Sequence, residues 1–262
     1  MTEKIHDVAA RGFQIASEVY DRGRPEYPQS AVEHLLRQLN VGSASTVVEL
    51  GAGTGKFTRI LAASLPAETK VIAVEPVEGM RNKFSALLPA VQLLAGSAEK
   101  IPLASKTAGA VIAAQSFHWF DGPAALQEIH RVLQPGGKLG LIWNARDESV
   151  DWVAKLEELT QVHEKGAPRY RTGAWRQALE RTELFTPLQA AHFRYAQVGG
   201  YGMVVDRIAS SSFIAALPET EKNQIFDQVR GLLSTHPQTR ERDTIEFPYR
   251  TDVFWCSRKE RA

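Results

Sequence analysis

Residues 47–58 read Val47-Val48-Glu49-Leu50-Gly51-Ala52-Gly53-Thr54-Gly55-Lys56-Phe57-Thr58. A short apolar run carries an acid, three glycines follow at alternate positions, and an amphipathic pattern then begins. That order predicts a strand, a tight loop and a helix. Glycines at 51, 53 and 55 let the chain turn sharply and let a flat ligand lie against bare backbone. The loop feeds a helix N-terminus, where free N–H groups and the helix dipole favour negative charge.

Spacing separates the nucleotide-binding loops that look alike. A phosphate-cradling P-loop needs Gly five places before Gly-Lys and then Ser or Thr, but Leu50 and Phe57 occupy those places. The dinucleotide fingerprint needs a small residue three places after its second glycine, and that position is Lys56. What remains, acid-x-Gly-x-Gly-x-Gly from Glu49 to Gly55, resembles the first motif of class I S-adenosyl-methionine-dependent methyltransferases. The bland alternative is an ordinary glycine-rich turn between a strand and a helix.

Apolar periodicity extends the pattern both ways. Residues 3–19 predict a helix, and Tyr20 to Pro28 form a loop rich in aromatic and basic groups. A helix is expected from near Pro28, with Ser30 and Glu33 spaced as a capping box and Gly42 as its end. Strands follow at 46–50, 70–74, 91–94, 109–114 and 138–143, with helices between them. This alternation predicts an α/β protein with a doubly wound sheet. Beyond Asn144, residues 150–182 read as helical, 188–198 as a strand, 202–216 and 218–234 as helices broken by Pro218, and 244–256 as a last strand.

The run Leu133-Gln134-Pro135-Gly136-Gly137 resembles the Leu-x-Pro-Gly-Gly turn common in the same family. The resemblance covers about residues 20–145 and implies a Rossmann-like seven-stranded sheet, its last strand antiparallel. A helical cap would lie over the C-terminal strand edge. It implies one methyltransferase domain over 1–262: N-terminal helices and lid loop to 40, a cofactor-binding core at 41–145, and a substrate cap from 146. The cofactor implied is S-adenosyl-methionine, held by Tyr20, Arg24, Glu49, Gly51, Gly53, Gly55, Glu75, Ser97, Ala98, Glu99 and Gln115. Glu75, at the tip of the second strand, suits both ribose hydroxyls, although dehydrogenases share that device. The guanidinium of Arg24 suits the carboxylate of either the cofactor's methionine tail or an acidic acceptor.

The tip of the fourth strand, Gln115-Ser116-Phe117-His118-Trp119-Phe120, lies where open parallel sheets bind ligands. Methyl transfer from a sulfonium is an in-line displacement, so the protein mostly aligns the reactants. Trp119, Phe120 and Tyr27 offer aromatic faces to the charged sulfonium and the substrate. His118 is the catalytic candidate, as base for a hydroxyl or ammonium acceptor; a carboxylate acceptor needs none. The plain alternative for His118-Trp119 is a packed pair at a helix start. The tip lacks the Asn/Asp-Pro-Pro-aromatic tetrad of amino-directed nucleic-acid enzymes and the paired glutamates of protein-arginine enzymes. Together with 20–28 it resembles a small-molecule group that includes trans-aconitate methyltransferase-like proteins.

Composition narrows the partners. The net charge of +1 over 262 residues gives no global field for nucleic acid or membrane. The single cysteine, Cys256, fits a reducing compartment, no secretory leader is visible, and no metal-ligand spacing occurs. A cytoplasmic monomer or homodimer with a small-molecule substrate is expected. The rival readings are a nicotinamide-dependent oxidoreductase and a non-catalytic S-adenosyl-methionine-binding protein.

Overall fold

The computed structural model describes residues 22–42, 45–164, 166 and 168–260. The helix expected at 3–19 and the Tyr20 position lie outside the described residues. Strands β1 (Thr46–Leu50), β2 (Lys70–Glu75), β3 (Gln92–Ala95), β4 (Ala108–Ala114), β5 (Leu133–Arg146), β6 (Gln189–Gly199) and β7 (Ile245–Ser257) form one sheet, ordered β3-β2-β1-β4-β5-β7-β6. β1 to β5 pair in parallel, and the last strand runs antiparallel.

The chain divides into two compact units. Of the described residues, those within 27–144, 168–193 and 251–260 form the core unit, and those within 22–26, 145–166 and 194–250 form the second. The boundaries fall inside β5, β6 and β7.

In the core unit both sheet faces are buried, as a doubly wound sheet requires. Val48, Leu50, Val111, Ala113, Leu139, Leu141 and Trp143 share one apolar cluster, while Val47, Ala110, Ile112 and Ile142 belong to another. This alternation is the period of two of a strand. Cys256 joins the first cluster at 2% exposure, and burial pushes its thiol up to about 12.

Helix α1 (Gln29–Leu39) buries Ala31, Val32, Leu35, Leu36 and Leu39. The expected capping box is absent. Pro28 is the N-cap, no side chain caps the helix, and the Glu33 carboxylate accepts instead from Gln29 Nε2. Asn40, not Gly42, ends it in the left-handed conformation, φ 53°. Asparagine tolerates that region because its short polar side chain bonds locally. Helices α2 (Lys56–Ser64), α3 (Glu78–Leu87) and α4 (Gly122–Val132) connect the parallel strands. β5 starts earlier than expected: Leu133 already pairs with Ala108, and after a register shift Lys138 pairs with Ala110.

The second unit packs α5 (Asp151–Gln161), α7 (Tyr201–Ala209), α8 (Ser212–Ala215) and α9 (Glu219–Thr235) around Trp152, Leu156, Val204, Ile208, Val229 and Phe247. The stretch expected to be helical over 150–182 is interrupted. A 3-10 turn at Tyr170–Thr172 and the short α6 (Arg176–Arg181) belong to the core unit.

Candidate active site

The carboxyl ends of β1, β2 and β4 carry the groups singled out from the sequence. The three loop glycines all have positive φ: 69° at Gly51, 59° at Gly53 and 90° at Gly55. Their surroundings differ. A Cβ on Gly51 would stand 2.7 Å from Ser116 Cβ, and one on Gly55 would stand 2.7 Å from Leu88 Cδ1. A Cβ on Gly53 would meet nothing within 4 Å among the described residues. Two glycines are therefore pressed between protein elements, and Gly53 borders open space as bare backbone. Ser116 secures the loop from β4, its hydroxyl donating to the Leu50 carbonyl at 2.8 Å.

Glu49 is 1% exposed and accepts a 2.6 Å hydrogen bond from the Thr58 hydroxyl. Burial pushes its carboxyl up to about 8, opposed by the Thr58 bond and reinforced by the charge of Glu75. Glu75, also buried, accepts from the Gly53 N–H and the Val77 N–H, each at 2.9 Å. It thus ties the glycine loop to the start of α3.

The segment after β3 is firmly braced. Arg131 donates to the Leu103 and Ile101 carbonyls at 2.8 and 3.0 Å, and Glu128 accepts the Ile101 N–H at 3.0 Å. Within it Ser97 is half-buried and Ala98 buried. Glu99 accepts the Asp121 N–H at 2.9 Å, linking this segment to the N-cap of α4.

Gln115, at the tip of β4, holds a left-handed φ of 56°, and its side chain donates to the Asn144 carbonyl at 3.2 Å. Phe117–Trp119 form one 3-10 turn. The His118 Nδ1 accepts the indole N–H of Trp143 at 3.2 Å. With Nδ1 serving as acceptor, a neutral imidazole carries its proton on Nε2. Trp143 is fully buried and packs against the rings of Tyr170 at 4.8 Å and Trp175 at 4.6 Å, which also stack on each other at 5.7 Å.

A cavity of about 510 Å3 is lined by Phe117, His118, Phe120, Gln127, Trp175 and Arg181, among others. That is a size suited to a small molecule. Trp119 packs beside His118 at 5.2 Å, and Tyr27 meets Phe57 edge-on at 5.0 Å. Arg24 belongs to the second unit, where its Nη2 donates to the Ser210 carbonyl at 3.1 Å. Among the described residues no His, Cys, Asp and Glu cluster is arranged to hold a metal ion.

Sequence reasoning missed Thr58, Ser116 and Trp143. A buried tryptophan in a strand is a usable signal, because its N–H needs a partner.

Comparison with known proteins agrees with this geometry. A family model described as a methyltransferase domain matches residues 48–141. An uncharacterized methyltransferase-like protein of Schizosaccharomyces pombe is 36% identical over 245 residues, 93% of this chain and 93% of that protein. An uncharacterized methyltransferase of Mycobacterium tuberculosis is 37% identical over 239 residues, 91% of this chain and 92% of its own length. A solved structure named as a candidate type II methyltransferase of Anaeromyxobacter dehalogenans shares the fold, with TM-score 0.65 at 21% identity over 90% of this chain and 96% of that one. With the acidic strand end, the open glycine loop and near full-length relatives all in agreement, the chain belongs to the class I S-adenosyl-methionine-dependent methyltransferases.

Proposed function

We propose that the protein transfers a methyl group to a small acceptor bearing a carboxylate or a hydroxyl, as one catalytic domain over 1–262 working in the cytoplasm. Residues 41–145 bind the cofactor in this reading, and those from 146 onward select the acceptor. The observation that carries it is the open backbone face at Gly53, joined by one hydrogen bond to the Glu75 carboxylate. A nucleoside lying on that face would set its ribose at Glu75 and its base along Ser97, Ala98 and Glu99. S-adenosyl-methionine, when bound, supplies an activated methyl group, so the chain's own task is alignment and exclusion of water. Incubating the protein with methyl-labelled S-adenosyl-methionine and a metabolite extract tests this. A labelled small-molecule product supports it, and binding without any product leaves the non-catalytic reading in its place.

Glu75→Ala is expected to weaken cofactor binding by roughly 1.5–3 kcal/mol, the worth of hydrogen bonds to a charged group. It also leaves the Gly53 and Val77 N–H groups without their acceptor, so a urea melt should register a loss of about 1–3 kcal/mol. Glu75→Gln keeps one acceptor oxygen and should lose less of both. If calorimetry finds wild-type affinity in both variants, the ribose role is wrong.

His118 is read as the residue that meets the acceptor. Because Trp143 donates to Nδ1, a neutral ring carries its proton, not a lone pair, on Nε2. It would therefore orient an acceptor oxygen as a donor. His118→Asn should lose about tenfold in turnover, the size of one hydrogen bond, and the wild-type rate should stay level from pH 6 to 8. A rate that falls toward pH 6, with a loss of roughly 100-fold or more in the variant, would mark a general base instead.

A further inference from the structure

Three arginines of the second unit gather where positive charge is hard to bury. Arg207, on α7, is 7% exposed, and the Arg146 side chain, at the end of β5, is also 7% exposed. Arg146 Nη1 meets the buried Glu157 carboxylate at 2.7 Å. Arg207 Nη1 reaches the Ser210 and Ser211 hydroxyls, both at 3.4 Å, and its guanidinium also shares a hydrogen bond with Tyr249. Arg24 also meets Ser210, its Nη2 donating to the carbonyl at 3.1 Å. Two enclosed donors, Arg146 Nη2 and Arg207 Nε, have no hydrogen-bond partner among the described residues.

The electrostatics agree. Burial holds both Arg146 and Arg207 below the usual arginine range, and the next cause is a like charge: Arg207 for Arg146, and Arg24 for Arg207. The fully buried Tyr249 feels all three guanidinia. Enclosed guanidinium donors without acceptors are costly unless an anion completes them.

We propose that Arg146 and Arg207, with Arg24, form a binding site for a carboxylate group of a small acidic ligand. A planar two-oxygen anion matches the guanidinium fork and satisfies both orphaned donors. Its entry releases the two 3.4 Å serine contacts, which are at the weak end of hydrogen bonding. The site lies wholly within the second unit, among the residues that the methyl-transfer reading assigns to acceptor selection, but carboxylate binding is measured without methyl transfer, so either can fail without the other.

The test is calorimetric titration of the full chain with succinate and with citrate, using dimethyl succinate as the uncharged control and inorganic phosphate as a competing oxyanion. Succinate or citrate is expected to bind and to raise the melting temperature, and dimethyl succinate to do neither. Arg207→Met should weaken carboxylate binding at least about tenfold, as loss of a buried charge partner does. The same variant should melt higher than wild type without ligand, because an unpaired buried charge has been replaced by an apolar chain of similar volume. S-adenosyl-homocysteine affinity should stay within about twofold, since tenfold corresponds to 1.4 kcal/mol. Arg207→Lys, which keeps the charge but loses the fork, should bind carboxylate more weakly than wild type. No binding by either carboxylate, or equal binding by Arg207→Met, overturns the proposal. So does phosphate binding as tight as the carboxylates, or a parallel loss of S-adenosyl-homocysteine affinity, which would assign the cluster to the cofactor's own amino-acid tail.

Discussion

Gly53→Val should bind S-adenosyl-methionine roughly 100-fold more weakly than wild type, at the upper end of the ~1–3 kcal/mol that overpacking imposes on a close contact. The fold should survive. A Cβ at this position touches no atom of the described residues within 4 Å, so the added methyls occupy the ligand's space and not the core's. The positive φ of 59° adds strain of about 1–3 kcal/mol for a β-branched residue, which a urea melt will register. Gly51→Ala provides the contrast. Its Cβ would press on Ser116 at 2.7 Å, so it should lower stability before it lowers affinity. Valine at 53 binding cofactor like wild type, in a folded protein, would refute the loop assignment.

The second large effect is on stability against pH. The Glu49 carboxyl is carried from 4.5 to about 8 by burial. Its folded pKa is raised, so the folded state holds the proton that the unfolded state releases. The contribution is fully present below pH 4.5 and is lost as pH rises through about 8. Across that window the loss is on the order of 4–5 kcal/mol. Glu49→Gln keeps an oxygen for the Thr58 hydroxyl and has nothing to ionise. It should match wild type near pH 5 and exceed it at pH 8 by a few kcal/mol in urea unfolding. Wild-type stability that is level over this range, with the variant equal at both ends, would show that Glu49 does not titrate there.

The parts of the molecule legible in the sequence are those set by local rules. β1 occupies the span its apolar run predicted, because a strand buried on both faces leaves a continuous apolar signature. The glycine loop was legible for the same reason: only glycine enters positive φ freely, so its spacing records the backbone path. Contacts made across the chain left no such trace. The indole of Trp143 reaches His118 over 25 residues, and Ser116 reaches Leu50 over 66. Glu75 reads as a ligand acid at a strand tip, but its grip on the Gly53 N–H depends on the folded loop. Arg146 and Arg207 lie in stretches without a motif, and their shared burial follows from how α5, α7 and α9 pack. The α1 cap shows a local rule losing: Ser30 and Glu33 have the capping-box spacing, yet Pro28 already fixes the helix start one residue before Gln29.

Cys256 offers a chronometer. It is the one thiol in the chain, and at 2% exposure with its thiol pushed up to about 12 it carries almost no thiolate at neutral pH. Disulfide reagents attack through the thiolate, so the native protein is silent toward them. Each molecule becomes reactive once, when the end of β7 parts from its cluster. A colour-forming thiol reagent therefore counts openings of the sheet at β7 directly, with no label introduced and no second cysteine to subtract.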